Sequence, residues 1–249
     1  DSKIRPQTLE SMLEVEPFVK PYDWGGSDGF TTSYVRFDEK QKELYDPVID
    51  SINIWFKNNW GNLSIEEKME WKYQRYMQDY LGCIASVDEN LGRILNYLED
   101  NNLDENTIVV YTSDQGFFLG EHGWFDKRFI YNESFKTPLL VSWPGKISKM
   151  VQNLDFAQTF LDAAGIDQPI DMQGESLMPL LLGKEEVWNR EAVYYHYYEY
   201  PSVHMVKRHY GIVTEDYKLA HFYYDIDEWE LFDRLADPME MKNVYDDSS

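Results

Sequence analysis

The chain has 249 residues, room for one large domain or two smaller ones, and its 43% hydrophobic share is ordinary for a globular protein. A formal charge of -22 denies it the basic surface that displaces counterions from a nucleic acid. No apolar run approaches the ~18–20 residues of a membrane span, and a single cysteine, Cys83, excludes an internal disulfide framework while leaving the compartment open.

Residues 1–45 are mixed and turn-rich, and Tyr22-Asp-Trp-Gly-Gly-Ser-Asp-Gly29 reads as an exposed surface loop. From Lys40 to Asn59 the spacing of Leu44, Val48, Ile52 and Trp55 predicts a helix broken at Pro47. Ser64 with Glu67 three residues on is a capping-box pattern. Trp71, Met77, Leu81, Ile84, Val87, Leu91, Ile94 and Leu98 then recur at three- and four-residue spacing. That spacing predicts a long amphipathic helix over 64–102, broken near Gly82, with Cys83 toward the buried side as a structural thiol.

The β-branched run 107–112 follows at once and reads as a buried strand, so the helix-then-strand order is that of an α/β crossover. Residues 132–144 read as loop, then a strand over 139–143, with a turn at Pro144-Gly145. Residues 154–164 form a second amphipathic helix closed by Gly165, which makes Asp155 a helix-terminus or packing residue. After Asn189, alternating segments at 192–198, 210–214, 217–224 and 230–233 predict a small antiparallel sheet. The expected fold class is therefore α/β, a sheet-and-helix core over 1–188 followed by an antiparallel C-terminal subdomain over 189–249.

The chemistry concentrates in Tyr111-Thr-Ser-Asp-Gln-Gly-Phe-Phe-Leu-Gly-Glu-His-Gly-Trp-Phe-Asp-Lys-Arg128. Asp114 and Gln115 fall at the carboxyl end of the strand, where open α/β sheets place ligands. Their carboxylate and amide carbonyl are oxygen donors of the kinds Ca²⁺ and Mg²⁺ take. Lys127 is a compact cation on a long stem, suited to a sulfate or phosphate oxygen. His122 is placed to donate to a leaving-group oxygen or to orient a sugar. Gly116, Gly120 and Gly123 permit turns and close backbone approach. Singly, each of these residues is an ordinary turn or polar-loop residue. Together, after a strand, they point to a hard cation and an anion held side by side.

A second cluster lies between His196 and Tyr210, with three of the chain's five histidines beside Lys207 and Arg208. It reads equally as a polar surface strand pair and as a sugar-recognition patch, in which tyrosines stack on rings and His196, His204 and Arg208 hold hydroxyls. The histidine spacings match no common zinc pattern.

The 111–128 segment resembles the sulfatase family of the alkaline-phosphatase-like superfamily, and the resemblance runs from about Trp71 to the C-terminus. Asp114-Gln115 is similar to the family's second pair of calcium ligands, Lys127 to its sulfate-binding lysine, and Gly120-Glu121-His122-Gly123 to its Gly-Glu/Asp-His-Gly loop. Thr137-Pro-Leu-Leu-Val-Ser-Trp-Pro-Gly145 and Trp229-Glu-Leu-Phe-Asp-Arg-Leu-Ala-Asp-Pro-Met-Glu-Met-Lys-Asn-Val244 are similar to two further family signatures. The segments 71–80 and 200–211 look most like bacterial N-acetylglucosamine-6-sulfatases. The resemblance implies an alkaline-phosphatase-like core and hydrolysis of a sugar sulfate ester. It further implies calcium (or magnesium), a formylglycine nucleophile, His122 toward the leaving group, and a periplasmic or secreted location.

One departure matters. The Cys/Ser-x-Pro-x-Arg motif that becomes formylglycine is absent, since Cys83 has no Pro or Arg at the required offsets. The family's first Asp-Asp calcium pair and its Lys-x-Pro-His element are absent too. The chain, starting at Asp1, is thus expected to be the C-terminal half of a longer sulfatase, partnered by the missing N-terminal half and inactive alone. Its acidity fits a single sulfated sugar or a short chain end better than a long polysulfated glycan as partner, and reads equally as a solubility device. The alternatives are a phosphatase or phosphonate hydrolase of the same superfamily, or a sulfated-glycan-binding pseudoenzyme.

Overall fold

The computed structural model of the chain describes residues 36–143, 147–202 and 205–247, so the 22–29 loop, the Pro144-Gly145 turn and His204 lie outside the described residues. These residues belong to two compact units that divide after Leu103.

The first unit holds two helices, α1 (Glu39–Asn59) and α2 (Ile65–Asp100). Each starts at a capping box. Asp38 accepts from the Gln41 amide at 2.8 Å while the Gln41 side chain accepts from the Asp38 amide at 2.9 Å. Ser64 and Glu67 make the same exchange at 3.2 and 2.8 Å. Three expectations are corrected here. Pro47 lies inside an unbroken α1, and α2 runs through Gly82 without a break. A proline removes one ladder bond and a glycine weakens one turn, and the turns on either side carry the helix across both. Cys83 is exposed rather than buried. So is the stripe of Leu81, Ile84, Val87 and Ile94, at 47–57%. The helices meet through rings: Trp55 stacks on Trp71 at 5.3 Å and 4°, and Phe56 and Trp60 pack beside them.

The second unit holds the remaining described elements. Strand β1 (Val110–Thr112) pairs antiparallel with β4 (Leu139–Val141), Val110 opposite Val141 and Thr112 opposite Leu139. The expected buried strand is a half-covered ribbon, with Tyr111 38% and Leu140 64% exposed. Alternate side chains of a strand face opposite ways, and Tyr111 and Leu140, opposite each other in the register, lie on the exposed face. Between the two come the short pair β2 (Phe118–Leu119) and β3 (Phe125–Asp126) and the single-turn helix α3 (Asn132–Phe135). After them lie α4 (Asp155–Ala163), which Gly165 closes at φ 67°, and α5 (Met178–Leu181).

The alternating C-terminal segments form an antiparallel meander, β5 (Val193–Tyr197), β6 (His209–Val213), β7 (Tyr217–Phe222) and β8 (Glu228–Asp233), in that spatial order. One face of this sheet, through Val213, Ala220, Phe222 and Phe232, buries Phe118, Trp124, Phe129, Ile130 and Tyr131. The core of the unit thus forms directly beneath the 111–131 segment. A smaller core joins Leu177, Leu180 and Trp188. Asp155 is fully buried there: its carboxylate accepts from the amides of Gln152 and Glu175 at 2.8 and 3.0 Å and from Arg190 at 2.5 and 2.7 Å. That is the packing role expected for a residue at the start of a helix.

Candidate cation and anion site

The first half of the site is the turn that ends β1. Ser113 Oγ donates to the Gln115 carbonyl at 2.7 Å and lies 3.3 Å from Asp114 Oδ1, so the hydroxyl closes a local turn. The next residue is pinned. The Gly116 amide donates to the Ser134 carbonyl at 2.8 Å, and a Cβ added at Gly116 would lie 2.0 Å from the Glu133 carbonyl oxygen. A glycine is therefore required for the turn to lie flat on α3. Asp114 is left exposed and Gln115 half-buried on the wall of a cavity of about 1120 Å³.

The second half is the loop from Gly120 to Ile130. Gly120, His122 and Gly123 have φ of 123°, 55° and 75°. The turn they build directs the His122 ring into the core, against Phe118, Trp124 and Tyr131 at 6.0, 5.6 and 5.1 Å. Its side chain is 1% exposed, and Nε2 sits 3.4 Å from Glu133 Oε2, an ion-pair distance without hydrogen-bond alignment. Burial pushes the Glu133 carboxyl up, yet the adjacent His122 ring and Lys218 hold it below the usual carboxylate range. His122, expected beside a leaving group, does not line the cavity that holds Asp114 and Gln115, and aromatic side chains surround its ring.

Lys127 stands on the same loop, half-buried. It lies between Asp126 and Arg128, which have φ of 79° and 95°. Arg128, rather than Lys127, lines the cavity with Asp114 and Gln115, its guanidinium paired to Asp126. In the sequence Arg128 is merely the second of two adjacent cations, and nothing there tells which one faces the cavity. Arg190 and Arg234 line the same cavity. Arg190 is held by the buried Asp155, and Arg234 donates to the Thr214 and Glu215 carbonyls, at 3.0 Å for the latter. These partners lie 19–35 residues away, so no local pattern announces either arginine.

The second cluster adjoins the cavity through Tyr194. His196 shares hydrogen bonds with the hydroxyls of Tyr194 and Tyr223 at 2.9 and 2.7 Å and stacks on Tyr198 at 3.7 Å. Burial lowers the pKa of its imidazole. Arg208 donates to the Tyr198 carbonyl at 2.9 Å and lies 4.4 Å over the Tyr224 ring. His196 and Arg208 thus share Tyr198 as a neighbour, and neither lines the cavity that holds Asp114 and Gln115.

The donor set suits a hard cation. A carboxylate and an amide carbonyl from adjacent residues meet the oxygen preference of calcium or magnesium, and both face open space. They do not complete a coordination shell: among the described residues no group of three or more His, Cys, Asp or Glu side chains is placed to hold a metal ion.

Two family models match, Sulfatase over residues 24–166 and N-sulphoglucosamine sulphohydrolase, C-terminal, over residues 120–249. The N-acetylglucosamine-6-O-sulfatase of Bacteroides thetaiotaomicron is 57% identical over 193 residues, which are 74% of this chain and 35% of that protein. A solved structure of a protein in complex with its substrate D-glucosamine-2-N,6-O-disulfate superposes with a TM-score of 0.84 at 45% identity, over 97% of this chain and 51% of the other. The phosphonate monoester hydrolase of Agrobacterium radiobacter superposes with a TM-score of 0.60 at 25% identity, over 75% of this chain and 40% of its own. The chain spans about half or less of the length of each of these proteins. The mixed helices and antiparallel sheets described above are those of alkaline-phosphatase-like sulfatases. With two family models covering most of its length, the chain belongs to the sulfatase family.

Proposed function

We propose that this chain supplies the cation- and sulfate-binding part of an enzyme that hydrolyses a sulfate ester on a sugar, with 6-O-sulfated glucosamine as its substrate class. The observation that carries the reading is that Asp114, Gln115 and Arg128 line one cavity, with Lys127 on the same loop as Arg128. The substrate class follows the likeness to a glucosamine 6-O-sulfatase and to a structure holding a 6-O-sulfated glucosamine.

Asp114 and Gln115 would hold calcium or magnesium through their side-chain oxygens. Such an ion, when bound, adds positive charge against a sulfate oxygen. Lys127 and Arg128 offset the charge that grows on the sulfate as its ester bond breaks, and fixed cations in a partly dry site do this without reorganising. The Asp126 carboxylate beside Arg128 keeps the guanidinium in place. Since the 249 residues contain no Cys/Ser-x-Pro-x-Arg motif, the formylglycine nucleophile is assigned to a segment outside them, and this stretch alone is expected to be inactive. His204, Arg208 and His196 are proposed to contact the sugar, and a periplasmic or secreted location goes with the reading.

The test is sulfate release from 6-O-sulfated glucosamine by the full-length gene product. Lys127→Ala is expected to lower turnover by roughly 10²–10³-fold, the scale of removing one group that stabilises transition-state charge. Asp114→Asn is expected to raise the calcium concentration needed for activity. Near wild-type turnover in Lys127→Ala would remove that residue from the site. The likeness to a phosphonate monoester hydrolase supports a second reading, phosphoryl rather than sulfuryl transfer. Faster turnover of a phosphonate or phosphate monoester in the same assay would select it. Binding of the sulfated sugar without any sulfate release would select a pseudoenzyme.

A further inference from the structure

Lys127 is flanked by two non-glycine residues with left-handed backbone, Asp126 at φ 79° and Arg128 at φ 95°. L-residues avoid this region, and such outliers persist where the surroundings over-determine them. Here both arms of the bend are anchored. Before it, Asp126 pairs with Phe118 in the β2–β3 ladder. After it, Phe129, Ile130 and Tyr131 are 5%, 0% and 0% exposed.

The bend itself is clamped at a single residue from two directions. The Arg128 amide donates to Ser134 Oγ at 2.8 Å, and the Arg128 carbonyl accepts from the Tyr195 hydroxyl at 2.9 Å. Ser134 is 5% exposed and belongs to α3; Tyr195 comes from β5. Ser134 also faces the other half of the site, because its carbonyl accepts from the Gly116 amide at 2.8 Å, one residue after Gln115. A single buried serine therefore bonds the oxygen-donor turn through its carbonyl and the cationic loop through its hydroxyl. Burial pushes the Tyr195 phenol up to about 12, so it remains a donor throughout the working pH range.

We infer that Ser134 and Tyr195 are positioning residues, which hold the Asp126–Arg128 bend and thereby aim Lys127 and set its distance from Asp114 and Gln115. The inference rests on the sulfate-site reading above. Neither residue takes part in chemistry. Each acts by holding a strained peptide, and a misplacement of about 1 Å in a charge-stabilising group is costly to rate.

The experiment is a pair of double-mutant cycles on the full-length gene product. Ser134→Ala and Tyr195→Phe are made alone and with Lys127→Ala. Turnover of 6-O-sulfated glucosamine and the affinity for inorganic sulfate are both measured, with Tm to establish folding. Each single variant is expected to lower kcat/KM and sulfate affinity by about tenfold, and to have no further effect once Lys127 is alanine. A loss of equal size with and without Lys127 would make the residues merely structural and overturn the inference. So would unchanged sulfate affinity and turnover in both single variants. Should Lys127→Ala alone leave turnover and sulfate affinity intact, the sulfate-site reading falls and takes the inference with it. Ser134→Ala deletes a hydroxyl without altering shape, so a Tyr195→Phe protein that fails to fold leaves the Ser134 cycle to decide.

Discussion

The Lys218 ammonium lies 2.7 Å from Oε1 of Glu240, and neither side chain has any exposed surface. The pair is wired into the site's framework. Lys218 Nζ also donates to the Ile130 carbonyl at 2.8 Å and to Asn132 Oδ1 at 3.1 Å, while Glu240 Oε2 accepts from the Asn132 amide at 3.0 Å. The chain leaving the Lys127 loop is thereby seated on β7. Burial pulls the Lys218 ammonium down to about 8, against the pull of Glu240. Glu240→Gln leaves that cation without a counter-charge and is expected to cost about 3–5 kcal/mol, measured by urea unfolding. Lys218→Met combined with Glu240→Leu is expected to lose clearly less, because a buried pair replaced by apolar groups leaves no stranded charge. Equal losses in both proteins would show that the uncompensated Lys218 charge is not what the substitution costs.

His209 makes stability depend on pH in the mildly acidic range. Its side chain is fully buried among Phe222, Tyr195, Tyr197 and Phe129, with ring centroids 4.8–5.9 Å away. Nδ1 is 2.8 Å from the Lys207 carbonyl and so carries the proton, while Nε2 has no partner among the described residues. Burial pushes the imidazole down to about 4 from an ordinary 6.5. Between those values the unfolded chain binds a proton that the folded chain refuses. The stability is therefore complete above pH 6.5 and is lost as pH falls toward 4, by roughly 3 kcal/mol from this group. His209→Phe is expected to flatten the fall of Tm between pH 7 and 4.5. Parallel curves for the two proteins would assign the acid sensitivity elsewhere.

Gly116 tests whether the oxygen-donor turn is held by α3. A methyl there would sit 2.0 Å from the Glu133 carbonyl oxygen and 2.7 Å from that of Lys136, and both are backbone atoms that cannot swing aside. Gly116→Ala is expected to cost about 1–3 kcal/mol by overpacking. It should also weaken calcium binding in titration calorimetry, because Asp114 and Gln115 must shift with the turn. A folded Gly116→Ala protein with unaltered calcium affinity would separate the metal ligands from this contact.

Much of the fold was legible because it is local. The Ser64 capping box, the three- and four-residue spacing through α2 and the two-residue alternation from Val193 to Asp233 each need only neighbouring residues to be recognised. The same holds for Gly165 closing α4. Pro47 and Gly82 misled for a related reason. Each is a local breaker, and helix continuity is a sum over many turns that one weak position does not decide.

The sequence by itself determined the long helices, the helix over 155–163 and the C-terminal strands and, through the Asp114-Gln115, Gly-Glu-His-Gly and C-terminal signatures, the family. It did not determine where the side chains of the site point. His122 turns inward because Phe118, Trp124 and Tyr131 close around it, and Cys83 turns outward because nothing described covers that face of α2. Arg128 reaches the cavity from a bend held by Ser134, six residues on, and by Tyr195, 67 residues on. A left-handed peptide between two anchored segments has no local sequence code. Its geometry exists only where distant hydrogen-bond partners compensate its strain, and that is a decision of the tertiary structure.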